Sequence, residues 1–257
     1  MTERLSKNQR RERILNRLGS DVSVRVKSLA DLFGVTTETI RRDIDALTEQ
    51  GLVDRTYGGA VSKSLTSEPN IDKRRQENVA ERERIAHYAA TLIEPGDVLM
   101  IDSGSTTNYF AKALAARMIP LTVLTNCLPV VQRLGGIPEV RVIMCPGDYR
   151  GTENGVYGQQ TTEFLDRFQA NTAVIGAGGI TEKDVTDADS NAIWVKRKMM
   201  ERSRKTLLLL DHSKYGKSGF ENFCVLGDID ELVVDKKPTN SLDRALRSAA
   251  VKIHIAK

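Results

Sequence analysis

Residues 26–52, VKSLADLFGVTTETIRRDIDALTEQGL, decide the reading of the N-terminal part of the chain. Apolar residues recur at helical spacing on both sides of a single break: Leu29, Ala30 and Phe33 before it, Ile40, Ile44 and Leu47 after it. That periodicity predicts two amphipathic helices. Gly34 and Val35 make the turn between them, and Thr36 or Thr37 is placed to cap the second helix, where a hydroxyl accepts from first-turn amides. Two helices joined by so short a turn predict a helix-turn-helix, in which the start of the second helix enters a major groove while the first crosses the backbone. The outer side of that second helix carries Thr37, Glu38, Thr39, Arg41 and Arg42, whose hydroxyls and guanidinium groups can hydrogen-bond base edges and phosphate oxygens.

Upstream, RRERILNRL (residues 10–18) sets Ile14, Leu15 and Leu18 on one face of a further helix that Gly19 is expected to end. Downstream, GLVDRTYGGAVS (residues 51–62) reads as strand, Gly-rich turn and strand, a small wing after the recognition helix. The candidate DNA contacts are Lys27, Thr36, Thr37, Thr39, Arg41, Arg42, Arg55 and Tyr57, with Arg41 and Arg42 foremost. Residues 1–63 hold 12 Lys and Arg against 9 Asp and Glu, so most of the net +4 charge lies here. A basic excess at one end fits a phosphate-bearing partner, as it also fits a solvated helix surface.

The polar stretch SKSLTSEPNIDKRRQENVA (residues 62–80) marks a boundary and becomes helical towards its end. The division expected is a winged helix-turn-helix domain over 1–62, a linker over 63–80 and an α/β domain over 81–257. A chain of 257 residues, 40% hydrophobic and 28% charged, has room for one small and one large globular domain. Cys127, Cys145 and Cys224 are scattered, without C-x-x-C pairs or neighbouring histidines, which predicts buried reduced thiols and neither metal nor other cofactor. Neither a signal peptide nor an apolar run of spanning length is present, so a cytoplasmic protein with no membrane partner is expected.

Beyond the linker, seven apolar runs alternate with helical segments: DVLMIDS (97–103), LTVLTN (121–126), VRVIMC (140–145), TAVIGA (172–177), KTLLLLD (205–211), ELVVD (231–235) and VKIHIA (251–256). Alternation of this kind predicts a mostly parallel sheet flanked by helices, with ligands bound beyond the carboxyl ends of the strands. The residues just after those ends are small and polar. Asp102, Ser103, Gly104, Ser105, Thr106 and Thr107 lead straight into a helix, so that first-turn amides and hydroxyls face an anion without adding countercharge. Thr125 and Asn126 end the second strand, Gly147 and Asp148 follow the third, Gly178 the fourth, and Lys214 the fifth, where it offers a cationic point for a phosphate. The Walker spacing G-x-x-x-x-G-K-[ST] does not occur, and GAGGI (176–180) lacks the G-x-G-x-x-G of a dinucleotide site.

TETIRRDIDAL (37–47) and YGGAV (57–61), behind an Arg-rich first helix, resemble the DeoR-type family of bacterial repressors, and the resemblance continues through the C-terminal domain. It implies an effector domain similar to sugar-phosphate isomerases of the ribose-5-phosphate type, and assigns Asp102, Ser105, Thr106, Thr107, Asn126, Gly147 and Lys214 to the ligand. In DADSNAIWVKRKMM (187–200) it assigns Lys196 and Arg197 to structure or to the ligand rim. Asp148 and Ala192 depart from the family pattern of Gly and Glu; acidic Asp148, Asp187 and Asp189 are expected to hold several ligand hydroxyls. The function implied is a non-enzymatic repressor of a carbohydrate operon. Double-stranded operator DNA and a phosphorylated sugar or sugar acid are the expected partners, and association of effector domains into a dimer or tetramer presents paired recognition helices. The rival is a sugar-phosphate isomerase carrying an extra N-terminal domain.

Overall fold

In the computed structural model, residues 5–20, 23–49, 52–56, 58–62 and 71–257 are described. The chain divides into two units, Met1–Ser67 and Glu68–Lys257.

In the first unit the order is α1 (Lys7–Ser20), β1 (Ser23–Arg25), α2 (Val26–Phe33), α3 (Thr37–Glu49), β2 (Val53–Thr56) and β3 (Gly59–Ser62). The expected helical stripes form its core: Ile14, Leu18, Leu29, Ala30, Ile40, Ile44 and Leu47 are all buried. The first helix runs through Gly19 to Ser20, one residue past the expected stop. Gly34 ends α2 at φ +62°, a left-handed conformation open to glycine, and the Val35 amide closes the turn on the Ala30 carbonyl at 3.1 Å. The wing forms with Val53 opposite Ser62 and Thr56 opposite Gly59, and β1, which the sequence did not announce, adds a third antiparallel strand against β3.

The second unit begins with α4 (Ile71–Gln76) and α5 (Val79–Thr91), followed by β4 (Val98–Ile101), α6 (Ser105–Ala115), β5 (Leu121–Thr125), α7 (Leu128–Leu134) and β6 (Val140–Met144). A hairpin, β7 (Asp148–Arg150) and β8 (Gly155–Tyr157), precedes α8 (Gln159–Leu165), β9 (Ala170–Ile175), β10 (Gly179–Ile180), β11 (Asp184–Asp187) and α9 (Ser190–Glu201). The chain ends with β12 (Ser203–Leu210), β13 (Glu221–Val225), β14 (Glu231–Val234), α10 (Asn240–Ser248) and β15 (Lys252–Ile255).

The seven expected runs form one parallel sheet in the order β15-β14-β12-β9-β4-β5-β6. Successive residues serve opposite faces. Leu99, Ile101, Leu207 and Leu209 join the core made with α5, α6 and α7, whereas Met100, Leu208 and Leu210 join the core containing Leu165 of α8, Ile193 of α9 and Leu242 of α10. Burial on both faces explains why these strands read as unbroken apolar runs. Strand order turns back on itself at β4: the chain first builds outward through β5 and β6, then returns to place β9 on the other side. The crevice outside the ends of β4 and β9 is the switch point where an open α/β sheet binds its ligand. Two smaller sheets, β7-β8 and β10-β11-β13, complete the unit.

Residues 71–80, the end of the stretch read as linker, carry α4 and the start of α5. The Ile71 amide donates to the Thr152 carbonyl at 3.0 Å, and Arg74 pairs with Glu153. Among the described residues no helix is long and apolar enough to cross a membrane.

Candidate functional site

In the first unit α3 is capped as its sequence demands: the Thr36 hydroxyl accepts from the Thr39 amide at 3.2 Å and lies 2.9 Å from the Thr39 hydroxyl. The side chains of Arg41 and Arg42 are 54% and 79% exposed, and both lean on Glu38, at 3.8 and 3.4 Å. Exposed helix pairs of this kind contribute only about 0.3–0.5 kcal/mol, so a phosphate or guanine edge readily replaces Glu38. Thr37 and Lys27 are exposed, Thr39 is half-buried, and Arg55 on β2 is held to Asp45 of α3 at 2.6 Å. Tyr57 lies outside the described residues.

Sequence reasoning missed Asp43, which is buried on the inner face of α3 between Arg10 Nε at 2.5 Å and Arg11 Nε at 3.2 Å. The two arginines of α1 therefore set the angle of the recognition helix. The signal was present: Asp43 stands in the apolar row of Ile40, Ile44 and Leu47.

In the second unit the ends of β4, β9 and β12 lie side by side and carry Asp102, Gly176 and Asp211. Lys196, buried on α9, joins the first two: its ammonium donates to Asp102 Oδ2 and to the Gly176 carbonyl at 2.9 Å, with Asp187 Oδ2 at 3.5 Å. Burial pushes the Asp102 carboxyl up, Lys196 pulls it down, and Asp187 adds a further upward push. Its second oxygen, Oδ1, is buried without a hydrogen-bond partner. Lys196, which sequence assigned to structure or the rim, thus sits at the centre of the crevice. It too stands in an apolar row, with Ile193 and Met199.

Gly104, in extended conformation, leads into α6 with no side-chain cap. The first-turn amides of α6 are left for another acceptor, the ordinary anion site of a helix N-terminus. Ser105 and Thr106 are buried, and among the described residues their hydroxyls make no hydrogen bond. Other expected contacts have protein partners. Ser103 donates to the Glu153 carbonyl at 2.7 Å and Thr107 to the Asp102 carbonyl at 2.9 Å. The Thr125 hydroxyl donates to the Ile101 carbonyl at 2.7 Å and accepts from the Cys127 amide at 3.0 Å, which gives it structural work. Asn126 donates to the Val156 carbonyl at 3.1 Å, leaving Oδ1 buried and unpartnered.

Gly147 has φ +145°, and a Cβ there would come within 2.3 Å of the Thr161 hydroxyl oxygen; glycine is required by the fold at this point. Asp148 is exposed on β7. The structure accounts for Asp187 and Asp189 without a ligand: Asp187 faces Lys196, while Asp189 caps α9 through the Asn191 amide at 2.8 Å and pairs with Arg150 at 3.2 Å. Arg197 is structural, bonded to the carbonyls of Phe223 and Asn222. Gly178 donates to the Thr186 carbonyl at 3.0 Å between β9 and β10.

At the end of β12, Asp211 caps the turn His212–Lys214 through the Ser213 amide at 3.0 Å, accepts from Asn78 at 3.1 Å and meets buried Arg82 at 3.3 Å. Burial alone would raise its carboxyl; Ser213, Arg82 and Lys214 outweigh burial and hold it low. Half-buried Lys214 closes this side of the rim. A separate groove of about 610 Å³ between α8 and α9, walled by Thr162, Trp194 and Arg197, shares no residue with the strand ends.

The comparisons agree with the two units. Residues 10–66 match the DeoR-like helix-turn-helix domain and residues 77–236 the DeoR C terminal sensor domain. The glycerol-3-phosphate regulon repressor of Escherichia coli is 29% identical over 252 residues, covering 98% of this chain and 100% of that protein. The transcriptional repressor GlcR of Bacillus subtilis is 30% identical, covering 89% and 88%. Among solved structures, the ribose 5-phosphate isomerase A of Methanocaldococcus jannaschii overlays with a TM-score of 0.42 at 16% identity, over 54% of this chain and 55% of that one.

Proposed function

This chain belongs to the DeoR family of helix-turn-helix transcriptional regulators, and on that footing we propose that it represses a carbohydrate-catabolism operon under the control of a phosphorylated sugar or sugar acid. The observation that carries the effector reading is the N-terminus of α6 at the switch point, where uncapped amides and the uncommitted hydroxyls of Ser105 and Thr106 sit beside the buried Asp102–Lys196 pair. The amides suit a phosphate; Asp102 Oδ1 and Asn126 Oδ1 suit ligand hydroxyls.

On the DNA side, Arg41 and Arg42 are the contacts proposed for base edges and phosphates, with Thr36, Thr37, Thr39, Lys27, Arg55 and Tyr57 fixing the register. The sensor units associate into a dimer or tetramer, so that two recognition helices meet repeated half-sites in the cytoplasm. The metabolite releases the operator by binding the DNA-incompetent arrangement more tightly, because a ligand with equal affinity for both states shifts nothing.

The test is a gel-shift titration on DNA upstream of the protein's own gene, with and without a panel of phosphorylated sugars and sugar acids. Specific binding relieved by one compound supports repressor and effector together. Specific binding that no panel compound alters would overturn the effector assignment.

A further inference from the structure

Arg75 lies on α4, the first helix of the second unit and the one that follows the DNA-binding unit in sequence. Several contacts fasten this helix and the corner after it to the strand-end rim. Arg74 pairs with Glu153, and Tyr109 of α6 donates its hydroxyl to the Arg75 carbonyl at 2.9 Å. At the corner Asn78 adopts φ 50°, a left-handed conformation that asparagine tolerates better than most residues. There it donates to Asp211 Oδ1 at 3.1 Å and Ser213 Oγ at 3.2 Å.

The Arg75 side chain does less than its position permits. One nitrogen reaches exposed Asp72 at 3.4 Å, while Nε and NH2 are buried with no hydrogen-bond partner. Buried donors are nearly always satisfied, so two on one guanidinium call for an acceptor. Further orphaned polar atoms occur at the same strand ends: Asp102 Oδ1, Asn126 Oδ1 and the hydroxyl of Tyr157, a side chain that is itself 2% exposed. Geometry sets α4 beside this group: Tyr109, one turn into α6, holds the Arg75 carbonyl, and Ser103, just ahead of α6, donates to the carbonyl of Glu153, the partner of Arg74. Burial pushes the nearby Cys127 thiol up, and the Arg75 charge is among the influences that draw it down.

We propose that Arg75 is an anion contact of the effector crevice, its two uncommitted N–H groups holding the phosphate together with the first-turn amides of α6. This rests on the effector reading above and extends it: ligand occupancy grips the helix from which the chain runs back to the DNA-binding unit. A planar fork suits a phosphate monoester, whose oxygens accept two parallel hydrogen bonds.

The experiment uses the full chain and inorganic phosphate as probe. Phosphate is titrated calorimetrically at constant ionic strength into the wild type, Arg75→Gln, Arg75→Lys and Ser105→Ala, and amide exchange over residues 71–82 is followed with and without it. The expected result is saturable binding by the wild type, weakened tenfold or more by Arg75→Gln and less by Arg75→Lys, with phosphate slowing exchange over residues 71–82 only where Arg75 is present. Weakening by Ser105→Ala with wild-type affinity in Arg75→Gln would overturn the Arg75 contact and leave the crevice reading standing. Absence of saturable binding by the wild type, both to phosphate and to whichever compound releases the operator, overturns the crevice reading and this inference with it. If Arg75→Gln does not fold, Arg75→Lys decides: threefold or greater weakening supports the fork, and unchanged affinity overturns it.

Discussion

Lys196 of α9 and Asp102 at the end of β4 form a buried ion pair across 94 positions of sequence, each side chain no more than 4% exposed. The pair bolts the helix layer on one face of the sheet to the strand end where α6 begins. Its cation also faces Asp187, so one ammonium balances two carboxylates.

Replacing Lys196 with Met leaves Asp102 buried without its cation and removes one partner of Asp187, at a cost of about 3–5 kcal/mol. Loss of Lys196 drives the already raised Asp102 pKa higher, so the folded variant takes up a proton more readily than the unfolded chain. The deficit is therefore largest at neutral pH and shrinks on acidification. Urea melts of both proteins at about pH 5 and pH 8 check the sign, and Asp102→Asn added to Lys196→Met should recover part of the loss.

Asp211 gives the opposite pH behaviour in the wild type. Its carboxyl is held below the ordinary value of 3.8, so its contribution is fully present above that value and is lost as pH falls through the lowered one. Asp211→Asn also strands Arg82, and should cost about 3 kcal/mol at neutral pH. Thermal melts should show a constant gap between the two proteins from about pH 7 to about pH 4, narrowing only as the pH falls below 3.8.

Arg42→Ala should abolish specific operator binding while leaving the melting temperature within about 1–2 °C of wild type, since among the described residues the only ion pair lost is an exposed one with Glu38. Arg42→Ala that still shifts the operator with an unchanged salt slope would remove Arg42 from the interface.

Asp43→Ala touches no DNA-facing side chain and should nonetheless destroy DNA binding, because it leaves Arg10 and Arg11 without the carboxylate that positions α3. The expected loss is about 3 kcal/mol or more of local stability. Faster amide exchange in Lys7–Ser20 and Thr37–Glu49, with β12 unaffected, is the readout.

The three thiols should be inert in the native protein. Burial pushes Cys145 and Cys224 up to about 12, and raises Cys127 as well. A thiol-specific disulfide reagent at about pH 8 should label the native chain slowly and react with all three after unfolding.

The seven parallel strands were legible because burial on both faces writes each of them as a continuous apolar run, and the helix pair because its stripes keep helical spacing. What escaped was short or non-local. Strands β1, β7, β8 and β10 are two or three residues long, too brief for any period to register. Asp43 and Lys196 appear in sequence only as charges interrupting apolar rows; their partners lie 32 and 33 positions away for Asp43 and 94 for Lys196. Thr125 reads as a ligand contact from its place at the end of a strand, yet its hydroxyl is consumed by the Ile101 carbonyl of the adjoining strand and by the Cys127 amide. Arg74, Arg75 and Asn78 fell within the stretch read as linker, and Arg82 drew no reading, because nothing local distinguishes a polar group that faces solvent from one that faces a crevice.

The strand order has a consequence for synthesis. Ile101 of β4 pairs with Val174 of β9, but β5 and β6 are made first and occupy the opposite side of β4. At roughly 5–20 residues per second, the nascent chain waits about 4–15 s before β9 arrives. Throughout that interval β4, an interior strand of the finished sheet, is an edge strand, with its backbone donors and acceptors open to any extended peptide in the cell. The half-made sensor is thus most vulnerable to misassembly along the line of the proposed effector crevice, and chaperone demand should peak between translation of β6 and of β9.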